Sequence, residues 1–334
     1  MPMKTGKLAS RWQILLLILP VLTGFVCLCI GRISISPQQI LGTFTGDPQI
    51  SVMTRMTVWN LRLPRIILAA LAGAGLSTAG CAFQSLFANP LATPDTLGVA
   101  SGASFGAALG LLLGLPLLGV QLTALLMGAA AVAMTWLAGS GKNKGLSTVV
   151  LAGIMMGSLF NALVSLVKFI ADEESQLPAI TYWLMGGLNN AAFETLLMGA
   201  PPILAGITVL YLLRWRMNLL PLSEEEARSS GVNISVLRSV TVICATLITA
   251  SCVSMCGQVG WVGLLVPHMC RMKFGSNQLA LLPASISFGA SFLMIVDTVA
   301  RSACAQEIPI SILTATIGAP FFIILMRKSG GWSL

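Results

Sequence analysis

The sequence predicts an all-α, polytopic membrane protein, a single transmembrane domain over 1–334 with about ten transmembrane helices. Three observations carry that prediction. Hydrophobic residues make up 56% of the 334-residue chain and charged residues only 9%, against roughly 25% charged in globular domains. A soluble surface could not be solvated by so few charges, so most of the chain lies in lipid. The chain also holds 33 glycines, as expected where helices pack by backbone approach. Finally, the basic residues stand at the ends of apolar runs. The net charge of +8 is therefore an orientation signal, and nucleic acid is not an expected partner.

The first apolar run, Trp12 to Ile30, follows Lys4, Lys7 and Arg11. It is long for a signal peptide and no A-x-A cleavage site follows, so it reads as a retained span. The apolar segments then place spans at 12–31, 64–86, 96–114, 117–138, 147–170, 195–214, 236–256, 259–272, 279–301 and 309–327. The polar stretch from Arg32 to Leu61 is expected outside the membrane. So is the segment from Ala171 to about Glu194, where Ile180 to Leu188, with Tyr182 and Trp183, suits a short interfacial helix. Placing the N-terminus inside puts thirteen of the nineteen basic residues on the inner side. Both termini are therefore expected to be cytoplasmic in a multi-pass cell-membrane protein.

Three arginines break that trend. Arg62 and Arg65 begin the second span and Arg301 ends the ninth, all at the outer surface. Interfacial snorkelling is one reading. The other is a basic collar for an acidic partner, because guanidinium groups pair bidentately with carboxylates. Asp297 stands one turn before Arg301 and can orient it through an i,i+4 pair.

The extended inner loop runs from Arg214 to Arg238 (215–238 as the loop proper). Ser223 is an N-cap, Glu224, Glu225 and Glu226 complement the helix dipole, Ala227 and Arg228 extend the helix, and Gly231 can close it in the left-handed conformation. A second short helix is expected near Ser235. These helices suit a solvated connector or a contact with a cytosolic subunit.

No catalytic constellation, cofactor site or metal site is visible. The eight cysteines lie almost all in apolar segments without CxxC spacing, and read as buried thiols. There is no P-loop, so the chain is not an ATPase. One histidine, His268, cannot supply paired haem ligands. Acidic residues are nearly absent from the spans, which disfavours an ion-coupled secondary transporter. A transporter of this kind needs a partner that supplies energy.

Seven segments resemble one family. They are Arg62-Leu-Pro-Arg65; Gln84-Ser-Leu-Phe-Ala-Asn-Pro-Leu-Ala92 with Leu97-Gly98; Leu151-Ala-Gly153; Tyr182-Trp-Leu-Met-Gly-Gly187; Gly260-Trp-Val-Gly-Leu-Leu-Val-Pro-His268; Asp297-Thr-Val-Ala-Arg301; and Glu307-Ile-Pro-Ile310 with Thr314-Ala-Thr-Ile-Gly-Ala-Pro320. In order and from about residue 12 to residue 328, they resemble permeases of the iron-chelate and cobalamin (FecCD-type) ABC importers, the large-permease, type II architecture. The resemblance implies a second permease subunit, identical or paralogous, two cytosolic ATP-binding subunits and an extracytoplasmic substrate-binding protein. It implies docking at Arg62, Arg65 and Arg301, and ATPase coupling through Leu219 to Val236. It places a cytoplasmic gate at Asn89, Pro90, Leu91 and Ser147. Ferric siderophore is the expected cargo, with haem or cobalamin as the alternatives.

Overall fold

The computed structural model describes residues 10–139, 146–222, 226, 229–304 and 306–328. Every expected span contains a helix: α1 (Ser10–Cys29), α4 (Leu63–Leu86), α5 (Val99–Leu112), α6 (Leu117–Gly139), α7 (Leu146–Ile170), α9 (Phe193–Leu213), α10 (Ile234–Cys256), α11 (Val262–Phe274), α12 (Gln278–Ser302) and α13 (Ile310–Lys328). Short helices α2 (Pro37–Thr45), α3 (Val52–Met56) and α8 (Gln176–Leu184) lie between them. Among the described residues, seven helices are long and apolar enough to cross a membrane unaided. The shorter α5, α11 and α13 complete the bundle by packing against them.

Two boundaries depart from the sequence reading. The helix of the second span begins at Val52, not at Pro64, and α3 continues into α4 as one 35-residue helical run. Pro64 cannot donate to the helix ladder and its ring crowds the preceding turn. The backbone answers with a π-type stretch over Thr57–Arg62, in which the Leu63 N–H reaches back to the Val58 carbonyl. Downstream of the inner loop, no separate short helix forms near Ser235. Asn233 caps α10 directly, its Oδ1 accepting from the Val236 N–H at 3.2 Å.

Burial sorts the helices. The most apolar windows of α4 and α10 are 83% and 78% buried, whereas that of α1 is 17% buried. The former are the core, and α1 faces outward. Small residues set the core spacing. A Cβ on Gly73 of α4 would strike the Gly289 carbonyl of α12, and one on Gly80 would strike the Gly263 carbonyl of α11. Backbone-to-backbone approach of this kind holds helices together where lipid removes the hydrophobic driving force. Pro20 leaves the Leu16 carbonyl of α1 without a helical donor, and Ser287 of α12 donates to it at 2.6 Å.

The cysteines are free, and six of the eight are buried. Cys29 is half-buried and Cys304 is exposed. Buried thiols among small residues fill space as weak polar apolars.

Candidate functional site

Arg62, Arg65 and Arg301 converge where α1 ends, but as an interior network, not an exposed collar. Arg62 is 5% exposed and Arg301 8%. The last carbonyls of α1 have no helical partner and carry the negative end of its dipole. Arg62 donates to the carbonyls of Leu28 (2.5 Å) and Ile33, and Arg301 donates to that of Cys27 at 2.6 Å. Gly31 keeps this possible, because a Cβ there would meet the Arg62 guanidinium.

Asp297 pairs first with Arg65, not with Arg301 as the sequence suggested. Its Oδ1 accepts from Arg65 Nη2 at 2.8 Å and from Nε at 2.9 Å. The i,i+4 contact to Arg301 is longer, at 3.8 Å. Arg65 also donates through Nη1 to Glu307 at 3.0 Å. Asp297 is buried and Glu307 partly exposed, with side-chain exposures of 1% and 27%. A recess of about 300 Å³ is lined by Arg32, Arg62, Arg65, Arg301, Asn189 and Glu307. Glu307 is the residue that sequence reasoning missed. Its motif was visible, but nothing in the sequence showed which arginine it would meet.

A second cavity, of about 580 Å³, lies between the loop after α4, the α10–α11 loop and α13. Asp95, Thr249, Gln258, Trp261 and Ser311 contribute to its lining. Trp261 holds a positive φ of 69°, a strained conformation for a bulky residue. It opens α11, with its carbonyl accepting from the Leu265 N–H at 2.7 Å, and its ring lies against Gly318 and Phe322. Asp95 Oδ1 accepts from the Ala100 N–H at 3.2 Å, bracing the start of α5. Asp95 is exposed and lines the cavity. Desolvation by the surrounding walls pushes its pKa up, against the pull of the Ala100 and Ser101 backbone N–H groups. Asp95 is the charged side chain of this lining. His268 is buried beside the Phe322 ring, 5.4 Å away.

At the other end, Asn89, Pro90 and Leu91 form the turn leaving α4. The Leu91 N–H donates to Asn89 Oδ1 at 2.9 Å, and Ala88 has a φ of 47°. Leu91 is 49% exposed, and Ser147 is exposed on the first turn of α7. Gly153 and Gly157 of α7 pack on the backbone of 96–98, which brings these two segments to the same end of the bundle. Of the coupling residues, Ser223, Glu224, Glu225 and Ala227 lie outside the described residues. Glu226 is exposed and helical, and Gly231 has φ 71° with open space around it.

An all-helical membrane bundle with an internal cavity and a charged recess at one end defines a membrane transport subunit. The model of the FecCD transport family matches residues 16–328, and the chain belongs to that family of ABC transporter permeases. The molybdate import system permease protein MolB of Haemophilus influenzae is 41% identical over 317 residues, 94% of each chain. An iron chelatin transport system permease protein of Helicobacter pylori is 34% identical, over 93% of this chain and 96% of its own. A solved inward-facing structure of a metal-chelate type ABC transporter superimposes with a TM-score of 0.88 at 39% identity, covering 96% of this chain and all of that one.

Asp297 and Glu307 should differ sharply on substitution. Asp297→Ala leaves a buried Arg65 without its main counter-ion, a loss of about 3–5 kcal/mol. Glu307→Gln removes a partly exposed pair worth about 0–1 kcal/mol. Thermal unfolding of the detergent-solubilised protein should show a large fall in Tm for the first and a small one for the second. Equal shifts would show that the buried pair does not hold this end together.

Proposed function

We propose that this chain forms the membrane pathway of an ATP-driven importer. Cargo passes from an extracytoplasmic binding protein to the cytoplasm by alternating access. A second permease subunit completes the pathway, and two separate cytosolic ATP-binding subunits supply energy. The charge bias supports placement in the cell (plasma or inner) membrane with both termini cytoplasmic.

The observation that favours a neutral or cationic iron chelate over a bare oxyanion is Asp95, and a ferric siderophore is the chelate proposed. A carboxylate in the cavity lining repels a bare oxyanion and tolerates a neutral or cationic complex. Relatives named for hemin, cobalamin and Fe(3+)-citrate keep other chelates as alternatives. The molybdate relative, at 41% identity, favours a second reading as an oxyanion importer. Proteoliposomes holding the permease, its ATPase and its binding protein distinguish the two. ATP-dependent accumulation of radio-iron siderophore without molybdate accumulation is expected. Molybdate uptake without iron uptake would overturn the chelate reading.

At the outer face, we infer that the arginine recess receives a carboxylate of the binding protein. The arriving group would compete with Glu307 for Arg65, because Nη1 faces the recess and Asp297 holds the other edge of the guanidinium. Glu307→Gln should then raise binding-protein affinity by up to about fivefold, the most that loss of a partly exposed pair worth about 0–1 kcal/mol can release. Arg32→Glu should lower it, and added salt should weaken the native complex. Affinity in nanodiscs that is the same for all three proteins, with one salt slope, would remove the recess from docking.

At the inner face, the proposal assigns the gate to Asn89, Pro90, Leu91 and Ser147. It assigns ATPase coupling to Ser223, Glu224, Glu225, Glu226, Ala227 and Gly231. In a background without native thiols, Leu91→Cys should cross-link to its symmetry mate in the inward-closed state. Glu226→Cys should cross-link to the ATPase subunit in the same assembly. No cross-link at either position in any nucleotide state, with efficient control pairs elsewhere, would reassign both surfaces.

A further inference from the structure

A groove of about 740 Å³ opens between α1, α4, α9 and α12, apart from the cargo cavity and the arginine recess. Its walls are apolar, formed by Leu17, Leu71, Ala74, Ile286 and Ala290 among others. Leu17 is 75% exposed, so the wall on α1 belongs to the outward, lipid-facing side of the bundle. The hydroxyl deep in the groove, that of Ser287, is already committed to the Leu16 carbonyl. The interior therefore offers a hydrocarbon-like slot with no polar demand.

One end differs. Gln13 on the first turn of α1, and Tyr211 and Arg214 where α9 ends, form its mouth. The Arg214 guanidinium lies 3.9 Å from the Tyr211 ring centroid, and its Nη1 donates to the Tyr211 carbonyl at 2.8 Å. Its Nε is buried without a hydrogen-bond partner, and no described carboxylate pairs with it. Interfacial side chains mark the depth of this mouth. Trp215 is 55% exposed beside it, and Lys273 stands over the Trp12 ring at 4.8 Å at the same end of the bundle. Tryptophan and cationic residues at helix ends sit at the headgroup level of a bilayer. Basic pockets between helices on the cytoplasmic side recognise anionic headgroups.

We propose that this groove is a binding site for an anionic phospholipid, with an acyl chain between α1 and α9 and the phosphate at Arg214. The two halves require one amphiphile. A free phosphate would satisfy Arg214 and leave the apolar slot unfilled. A zwitterionic lipid would fill the slot, but its headgroup cation would offset the attraction to a guanidinium that no described carboxylate neutralises. A second protein copy on this face would bury Arg214 without a counter-ion, which is costly.

The full-length permease in neutral detergent, stripped of lipid, tests this with three probes. They are phosphatidylglycerol, phosphatidylcholine of the same acyl chains, and inorganic phosphate. Native mass spectrometry reads lipid retained per permease, and thermal unfolding reads stabilisation. Phosphatidylglycerol should bind at least tenfold tighter than phosphatidylcholine and raise Tm, while inorganic phosphate should do neither. Arg214→Gln should abolish the preference between the two lipids, and Arg214→Lys should retain part of it. Ala70→Phe, which adds bulk to the groove wall away from the mouth, should weaken both lipids. Equal binding of the two lipids would overturn the proposal. So would stabilisation by inorganic phosphate alone, a preference that survives Arg214→Gln, or unchanged binding of both lipids in Ala70→Phe.

Discussion

The bidentate pair between Arg65 and Asp297 is the constraint on which the arrangement of one end of this protein depends. Both groups are largely withdrawn from solvent, with 12% and 1% of their side chains exposed. Neither charge is tolerable there alone, since an unpaired buried charge costs several kcal/mol. The pair fixes the start of α4 against the end of α12. Arg301 and Arg62 then extend the network onto the free carbonyls of α1. Three helices far apart in sequence, already packed together through Gly73–Gly289 and Ser287–Leu16, are clasped at one end by this network.

That point is also linked to the cavity. Glu307, on Arg65, is three residues from the first turn of α13. The Ile308 N–H donates to Ala300, Ile310 to Gly186, and the Ser311 hydroxyl to the Met185 carbonyl. Ser311 itself lines the cavity with Trp261 and Asp95. A force on Glu307 would therefore be carried by a short, hydrogen-bonded segment into the cavity wall. The close helix contacts at Gly73–Gly289 and Gly80–Gly263 hold the surrounding helices in fixed register.

Membrane setting and ion pairing divide the charged residues into two populations. Near Asp297, Arg65 and Arg301 meet carboxylates and Arg62 is held by backbone carbonyls. Arg214 has a ring and a carbonyl but no described acidic partner. The difference follows from position. The first group stands where four segments converge and supply acceptors, whereas Arg214 ends a helix beside an apolar groove whose walls supply none. The same residue type thus serves as an internal clasp in one place and as an open receptor in the other.

Much of this was legible in the sequence. Apolar run length located every helix of the bundle, because a bilayer imposes about 20 residues per span on any sequence that crosses it. The ordered motifs identified the family. Gly231 was readable as a left-handed position, and its φ of 71° follows from the lack of a Cβ. The start of the second span was misplaced because Pro64 reads as a helix boundary, while a local π-type turn carries the helix past it. The arginines were found, but their burial and partners were not. Asp297 stands four residues from Arg301 and 232 from Arg65, and local spacing favours the nearer pair. The sequence by itself determined which segments form the apolar helices and which charges sit at their ends, because those depend on composition along the chain. Only the tertiary structure decided which charges neutralise one another, because pairing depends on distances set by helix packing.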